Sequence, residues 1–321
     1  MTDLFDLALL PAADESERCA AHATRIDLDP GGSALFVDEL IVVDMPLPWP
    51  KPVWAKDGFT AIPELMMAAG EQGRRVRVLA AVPQDNAGGR IVTHGLRDNA
   101  DFSRIEHEVA PSEIVDLLTV LVVEGLDASP STVISNEPQR ELLLCTQGSH
   151  DMCCGSRGAS LMADLHAIDP TLAIRRVSHT GGHRMAPTGV TLPDGRMWGL
   201  VTTEEMAGIL DYSVTPTSVA ARCRGWIGAE VGPAQMAERA VMAAIDDWGF
   251  DSRARSVEIV ASETDDTPSL NTNVRVSVDG DVWVVEVGPA RAVPTIACGA
   301  PGGLPAKPGA EWQVHTITRT Q

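Results

Sequence analysis

Lysine is nearly missing from this chain: of 321 residues only Lys51, Lys56 and Lys307 are lysines, and every other basic side chain apart from histidine is arginine. Lysine and arginine together number 25 against 44 acidic residues, a formal net charge of -19. That balance repels nucleic-acid phosphates and anionic lipid, so neither nucleic acid nor membrane is expected as a partner. A solvated acidic surface is the plain reading of the excess; acidic electron carriers that dock on basic reductases share it. Also missing is any run of about 18 uncharged apolar residues, which leaves no candidate membrane span. The opening MTDLFDLALLPAADESER is acidic where a secretory signal carries basic residues before a long apolar core, so a cytoplasmic protein is expected. No glycine-rich nucleotide fingerprint follows an expected strand, and no C-x-x-C is present.

What the chain does contain is 44% apolar residues, enough for a substantial core in one large or two modest domains. SALFVDELIVVDM (33–45) reads as a strand, TAIPELMMAAGEQG as a helix and RRVRVLAAVP as a strand ending at proline. RIVTHGL and SRIEHEVA follow as short strands, and PSEIVDLLTVLVVEGL carries a helical apolar stripe. The polar, proline-bearing DASPSTVISNEPQ (127–139) is the candidate boundary between an α/β domain over 1–130 and a second domain over 131–321. There RELLLC is a strand, a helix runs from about 155 to 168, and TLAIRRVSH is another strand. GVTLPDGRMWGLV and VRVSVDGDVWVVEV read as hairpins turning at Asp-Gly, TTEEMAGILDYS as a capped helix, and GPAQMAERAVMAAIDDWGF (232–250) as a long helix. PELMMAAGEQGRRVRVLAA and ASLMADLHAIDPTLAIRRVS share a helix-then-strand cadence, the kind a distant duplication leaves.

Three of the six cysteines, Cys145, Cys153 and Cys154, fall within ten residues, and SHTGGHR (178–184) places two histidines four apart. A helix would put both imidazoles on one face, but two adjacent glycines each cost a helix interior about 1 kcal/mol, so a loop is expected. In a parallel β-α-β crossover the strand ends and the start of the helix share one sheet edge. Cys145 and His179 end the two strands, Cys154 starts the helix, and the glycine loop returns His183 to the same edge. A lone buried cysteine or a lone loop histidine is ordinarily structural; four such residues converging point to a metal. Two thiolates and two imidazoles suit tetrahedral zinc and also suit a [2Fe-2S] centre, and the spacing C-x8-C leaves both open. Cys19 and Cys298 lack any partner pattern and are expected to be non-ligands. His150 is expected in an exposed loop, Asp151 is the one carboxylate near enough for a hydrolytic zinc site, and Arg184 is expected in a surface ion pair.

The segment LLLCTQGSHDMCCG followed by SHTGGHR resembles the sucrase/ferredoxin-like family, whose pattern has a cysteine after a strand, a second cysteine followed by glycine, and a Ser-His-x-Gly-Gly-His loop. Cys145, the Cys154-Gly155 pair and residues 178–183 match it position by position. Cys19, LFVDELIVVDMPLPW, CRGWIG and ACGAPGG match more loosely. Where the family has one cysteine before the glycine this chain has two; the match at Gly155 favours Cys154 and leaves Cys153 as a packed or substitute thiol.

The resemblance implies an α/β protein whose second domain, 131–321, is thioredoxin-like, with a C-terminal helix and β-hairpin extension. It implies a [2Fe-2S] cluster ligated by Cys145, Cys154, His179 and His183, an electron-transfer role and a redox partner with a basic docking surface. Histidine-ligated centres of the related Rieske type span roughly -150 to +300 mV, against about -400 mV for plant-type all-cysteine ones, and their imidazoles couple reduction to pH. A structural or interaction protein holding zinc on the same four residues is the alternative. The word sucrase finds no carboxylate pair placed for glycoside hydrolysis.

Overall fold

Runs of valine, leucine and isoleucine form strands because branched side chains fit a pleated, half-buried surface. In the computed structural model, which describes residues 5–84, 89–128, 132–135, 140–149, 152–260 and 270–320, ten strands line up in one mixed sheet. The first half of the chain supplies β1 (Glu39–Asp44), β2 (Val76–Ala81), β3 (Gly89–Arg97), β4 (Asp101–Val109) and β5 (Thr132–Ser135). The second supplies β6 (Glu141–Cys145), β7 (Ile174–Val177), β8 (Thr188–Leu192), β9 (Arg196–Gly199) and β10 (Cys223–Trp226). Across the sheet the order is β10-β9-β8-β6-β7-β2-β1-β3-β4-β5. A second, antiparallel sheet follows the chain order β11 (Arg255–Val260), β12 (Thr272–Val278), β13 (Asp281–Thr295) and β14 (Lys307–Arg319). The helices among the described residues are α1 (Cys19–Arg25), α2 (Ile62–Glu71), α3 (Ile114–Glu124), α4 (Ala159–Ile168), α5 (Thr203–Asp211), α6 (Pro216–Val219) and α7 (Pro233–Ile245). The architecture is α/β, and among the described residues no helix is long and apolar enough to cross a membrane.

The expected crossover is present. Strands β6 and β7 run parallel, from Leu142 opposite Ile174 to Cys145 opposite Val177, with α4 between them in the chain. Strands β1 and β2 are likewise parallel around α2. In each half the opening strand also pairs antiparallel with the third, and the third with the fourth. The halves therefore repeat one strand order, β2-β1-β3-β4 and β7-β6-β8-β9, the spatial counterpart of the shared cadence in the sequence. They join edge to edge where Ala81 pairs with Val177. Ser178 N–H donates to the Ala80 carbonyl at 2.7 Å, and Val82 N–H to that of Arg176 at 2.9 Å. A buried Arg175–Asp44 ion pair at 2.9 Å spans the same seam; burial pushes the Asp44 carboxyl up in pKa, and Arg175 opposes that.

Some elements differ from expectation. Residues 33–38 precede β1 without joining it, because their amides are taken elsewhere: Ala34 N–H donates to the Gln235 side chain and Val37 N–H to the Ile227 carbonyl. The long helix stops at Ile245, since Asp246 turns left-handed (φ 54°) and the Asp247 side chain caps a separate short turn over Trp248–Ser252. Of the polar segment 127–139, Thr132–Ser135 is a strand on β4, and 129–131 and 136–139 lie outside the described residues. The hairpin at Asp279-Gly280 forms with positive φ at both residues, as a two-residue turn needs, and β11 and β14 widen it to four strands. Helix α7 packs on that sheet, and Leu142, Trp198, Met242, Val274 and Val285 share the core between them and the large sheet.

Candidate metal centre

Cys145 closes β6 and is fully buried. After a loop the chain re-enters as a helical run from Met152, whose early part over Cys154–Gly158 is a wide π-turn before α4 begins. Such turns are frequent at functional sites. Two glycines allow it here. A Cβ on Gly158 would lie 2.2 Å from the Cys145 carbonyl oxygen, and one on Gly155 would lie 2.5 Å from the Gly148 Cα. Helix and strand end thus meet backbone to backbone, which carries Cys154 up against Cys145. On the neighbouring strand His179 lies two residues past β7. Its N–H donates to the Gln147 side-chain oxygen at 3.0 Å, and its carbonyl accepts from Arg77 at 3.0 Å.

The ligand atoms of Cys145, Cys154 and His179 all lie within 4.8 Å of one another, the two cysteines buried and the histidine half-buried. The Cys145 thiol is held well below its ordinary pKa. The Cys154 side chain is the largest cause; burial opposes it, and His179 and the backbone amides of Gln147 and Thr180 add to it. This is the surrounding a metal-binding thiolate needs.

The glycine loop has a second purpose that spacing alone does not show. Gly181 (φ 86°) and Gly182 (φ 71°) curl around the fully buried guanidinium of Arg224, and a Cβ on Gly182 would meet it at 2.6 Å. Arg224 donates to the Gly181 carbonyl at 3.0 Å and to Thr188 Oγ1 at 2.8 Å. Burial, with Arg184 beside it, pushes its pKa down to about 10, while the thiols of Cys154 and Cys145 pull the other way. A buried cation therefore stands next to the thiols, unforeseen from the sequence because its distance in the chain carries no local pattern.

Three of the four expected ligands form one set, and the fourth borders it. The His183 ring centre is 6.3 Å from that of His179, and its Nδ1 lies 3.3 Å from the Cys19 sulfur. Cys19 belongs with Cys153 and Cys298 to a second group whose sulfurs all lie within 4.8 Å. Five of the six cysteines thus pack in one small cluster with Ala20, Ala186 and Ile296. Cys19 and Cys298, expected as non-ligands, have only the loose resemblance of their segments to recommend them. Arg184 is half-buried and donates to Thr295 Oγ1, in place of the expected surface ion pair. His150 and Asp151 lie outside the described residues.

The family described as Sucrase/ferredoxin-like matches residues 32–225. The chain belongs to that family. Within the sucrase/ferredoxin-like span lie Cys145, Cys153, Cys154, His179 and His183, while Cys19 and Cys298 fall outside it. No curated protein and no solved structure matches the chain. The family's name points to ferredoxin-like electron transfer, and this member groups Cys and His donor atoms at distances that a metal ion could bridge.

Proposed function

We propose that this sucrase/ferredoxin-like protein is an electron carrier holding one [2Fe-2S] cluster on Cys145, Cys154, His179 and His183. The observation that carries this is the meeting of Cys145, Cys154 and His179 within 4.8 Å at the end of a parallel β-α-β unit. The donor set fits: two sulfurs for iron, backbone amides directed at Cys145, and His183 on the border of the group. A bound cluster would supply a one-electron step. An imidazole bound through one nitrogen carries its exchangeable proton on the other. Both histidines are half-buried, not sealed, so a proton is able to follow the electron. Arg224 places positive charge beside the thiolates and favours the more negative, reduced state.

Its partner, on this reading, is a redox protein with a basic surface, matched to the net charge of -19. Association with such a partner should slow steeply between about 50 mM and 500 mM salt in stopped-flow measurements; a salt-independent rate would remove the electrostatic part of the proposal.

The deciding experiment is a visible spectrum of protein purified without oxygen, before and after dithionite, with iron and sulfide assays. Absorption that bleaches on reduction, with two irons and two sulfides per chain, is expected. One observation favours a second reading. Three donor atoms within 4.8 Å also suit a single ion, so a colourless protein with stoichiometric zinc would make this a structural or interaction protein on the same residues.

A further inference from the structure

We infer a second metal site, in which the thiolates of Cys19, Cys153 and Cys298 hold a thiophilic ion, zinc. Their sulfurs lie 3.5 Å apart between Cys19 and Cys153 and 3.8 Å apart between Cys153 and Cys298, and all three lie within 4.8 Å of one another. Sulfurs placed about 2.3 Å from a tetrahedral zinc stand about 3.8 Å apart, so the trio needs little movement to close on an ion. Three mutually adjacent sulfurs are one too many for a disulfide, which would use two; an ion uses all three.

The three come from segments with nothing in common locally: the first residue of α1, the residue before the π-turn, and the loop between β13 and β14. What brings the first and last together is backbone pairing. Gly299 N–H donates to the Glu17 carbonyl and Gly302 N–H to that of Glu15, both at 2.8 Å, with a β-bridge between Ser16 and Pro301. The Cys19 amide in turn points at the Cys298 sulfur at 3.3 Å, the kind of hydrogen bond that stabilises a thiolate. Cys153 borders a cleft of about 500 Å³ lined by Arg18, Gly148, Met152, Gly155 and Arg157, which gives an ion a way in and solvent access to a fourth position. Arg18 and Arg157 there offset the negative charge that three thiolates leave on a divalent ion. The site lies mainly outside the family's matched span and shares no ligand with Cys145, Cys154 and His179, while Cys19 also lies 3.3 Å from His183 Nδ1, where the two groups adjoin. Its consequence is mechanical: the ion would pin the N-terminal helix and the β13–β14 loop over the first group of ligands.

The test starts from Cys145→Ser, which breaks the first set and leaves the second intact. This variant, reduced and given Zn²⁺, should retain one zinc per chain through gel filtration, and Co²⁺ in its place should give thiolate-to-metal absorption in the near ultraviolet. Adding Cys298→Ser should weaken zinc binding at least about tenfold. Unchanged binding, or no zinc on Cys145→Ser, would overturn the proposal. Should that variant fold poorly, the unaltered protein gives an independent readout. Zn²⁺ should slow iodoacetamide alkylation of the half-buried Cys298 severalfold, and equal rates with and without zinc would count against the site.

Discussion

At the scale of single residues, sulfur and imidazole positions decide what the centre is able to hold. The Cys154 side chain does most to lower the Cys145 thiol pKa, and backbone amides that no side-chain substitution removes add to it at the strand end. Cys145→Ser should therefore lose the metal of the first group outright. His183→Cys should keep a cluster but lower its potential and flatten its pH dependence, because a thiolate brings negative charge and removes a titrating ring. Redox titration at several pH values checks both, and equal tolerance of the two changes would remove His183 and Cys145 from the ligand set. The meeting of Cys145, Cys154 and His179 was legible in the sequence because strand ends and a helix start fix them to one sheet edge; His183, carried by the glycine loop, only borders them. That of Cys19 and Cys298 was not: 279 residues separate them, and only the folded backbone pairing of their segments brings the two sulfurs together. Arg224 was hidden for the same reason.

At the scale of elements, the helix start and the strand end are a single device. Gly158→Ala would push a methyl to 2.2 Å from the Cys145 carbonyl oxygen, a backbone atom that cannot swing aside. The π-turn or the end of β6 must then shift, at a cost of about 1–3 kcal/mol, and metal content should fall with stability; Gly70→Ala, with nothing near its Cβ position, serves as the control. A protein with Gly158→Ala and full metal content would show that the close approach is dispensable. The paired strands β3 and β4 carry a pH-sensitive contribution. Glu106 is buried, which pushes its carboxyl pKa up, but hydrogen bonds from Arg104 at 2.7 Å and Arg90 at 2.8 Å outweigh burial and leave it lowered. A lowered acid stabilises the fold above its unfolded value of about 4.3 and loses that contribution as pH falls through the folded value. Glu106→Gln should thus cost about 1–3 kcal/mol near neutral pH and progressively less as pH falls below about 4.3, by urea denaturation. A constant difference across pH would exclude the ion pairs as its source.

Strands and helices with strong periodicity were readable: β6, α4, β7, the two Asp-Gly hairpins and the Thr202 capping box all form where their residues suggest. Strand β14 was not, because KPGAEWQVHTITR has proline and glycine just after its first residue and carries polar residues along an exposed edge, so its pattern appears only beside β13. Four-residue β10 is too short to show a period and is recruited by pairing with β9.

Across the whole molecule, the two sheets are joined by charge as well as by apolar packing. Arg196 of β9, Glu238 of α7, Asp251 and Arg255 of β11 form a fully or almost fully buried network between the ten-stranded and four-stranded sheets. Arg196 donates to both Glu238 oxygens at 2.9 and 3.0 Å and to Asp251 at 2.7 Å, and Arg255 lies 3.0 Å from Glu238. Nearby Asp251 and Glu238 overcome burial and hold Arg196 well above its ordinary pKa, whereas burial wins at Arg255 and lowers it. Such a network is costly to assemble, so its removal as a set would be mild, but breaking one member strands the rest without water. Glu238→Ala leaves two buried guanidinium groups sharing one carboxylate and should cost about 3–5 kcal/mol. Glu238→Gln, which keeps the shape and an acceptor oxygen, should cost less. Urea denaturation followed separately by tryptophan fluorescence and far-ultraviolet circular dichroism would measure both. The two probes should shift together, because Trp198 and the strands of both sheets share the core around α7. A small, probe-dependent shift would mean instead that the four-stranded sheet unfolds on its own and that the buried charges do not bind it to the rest.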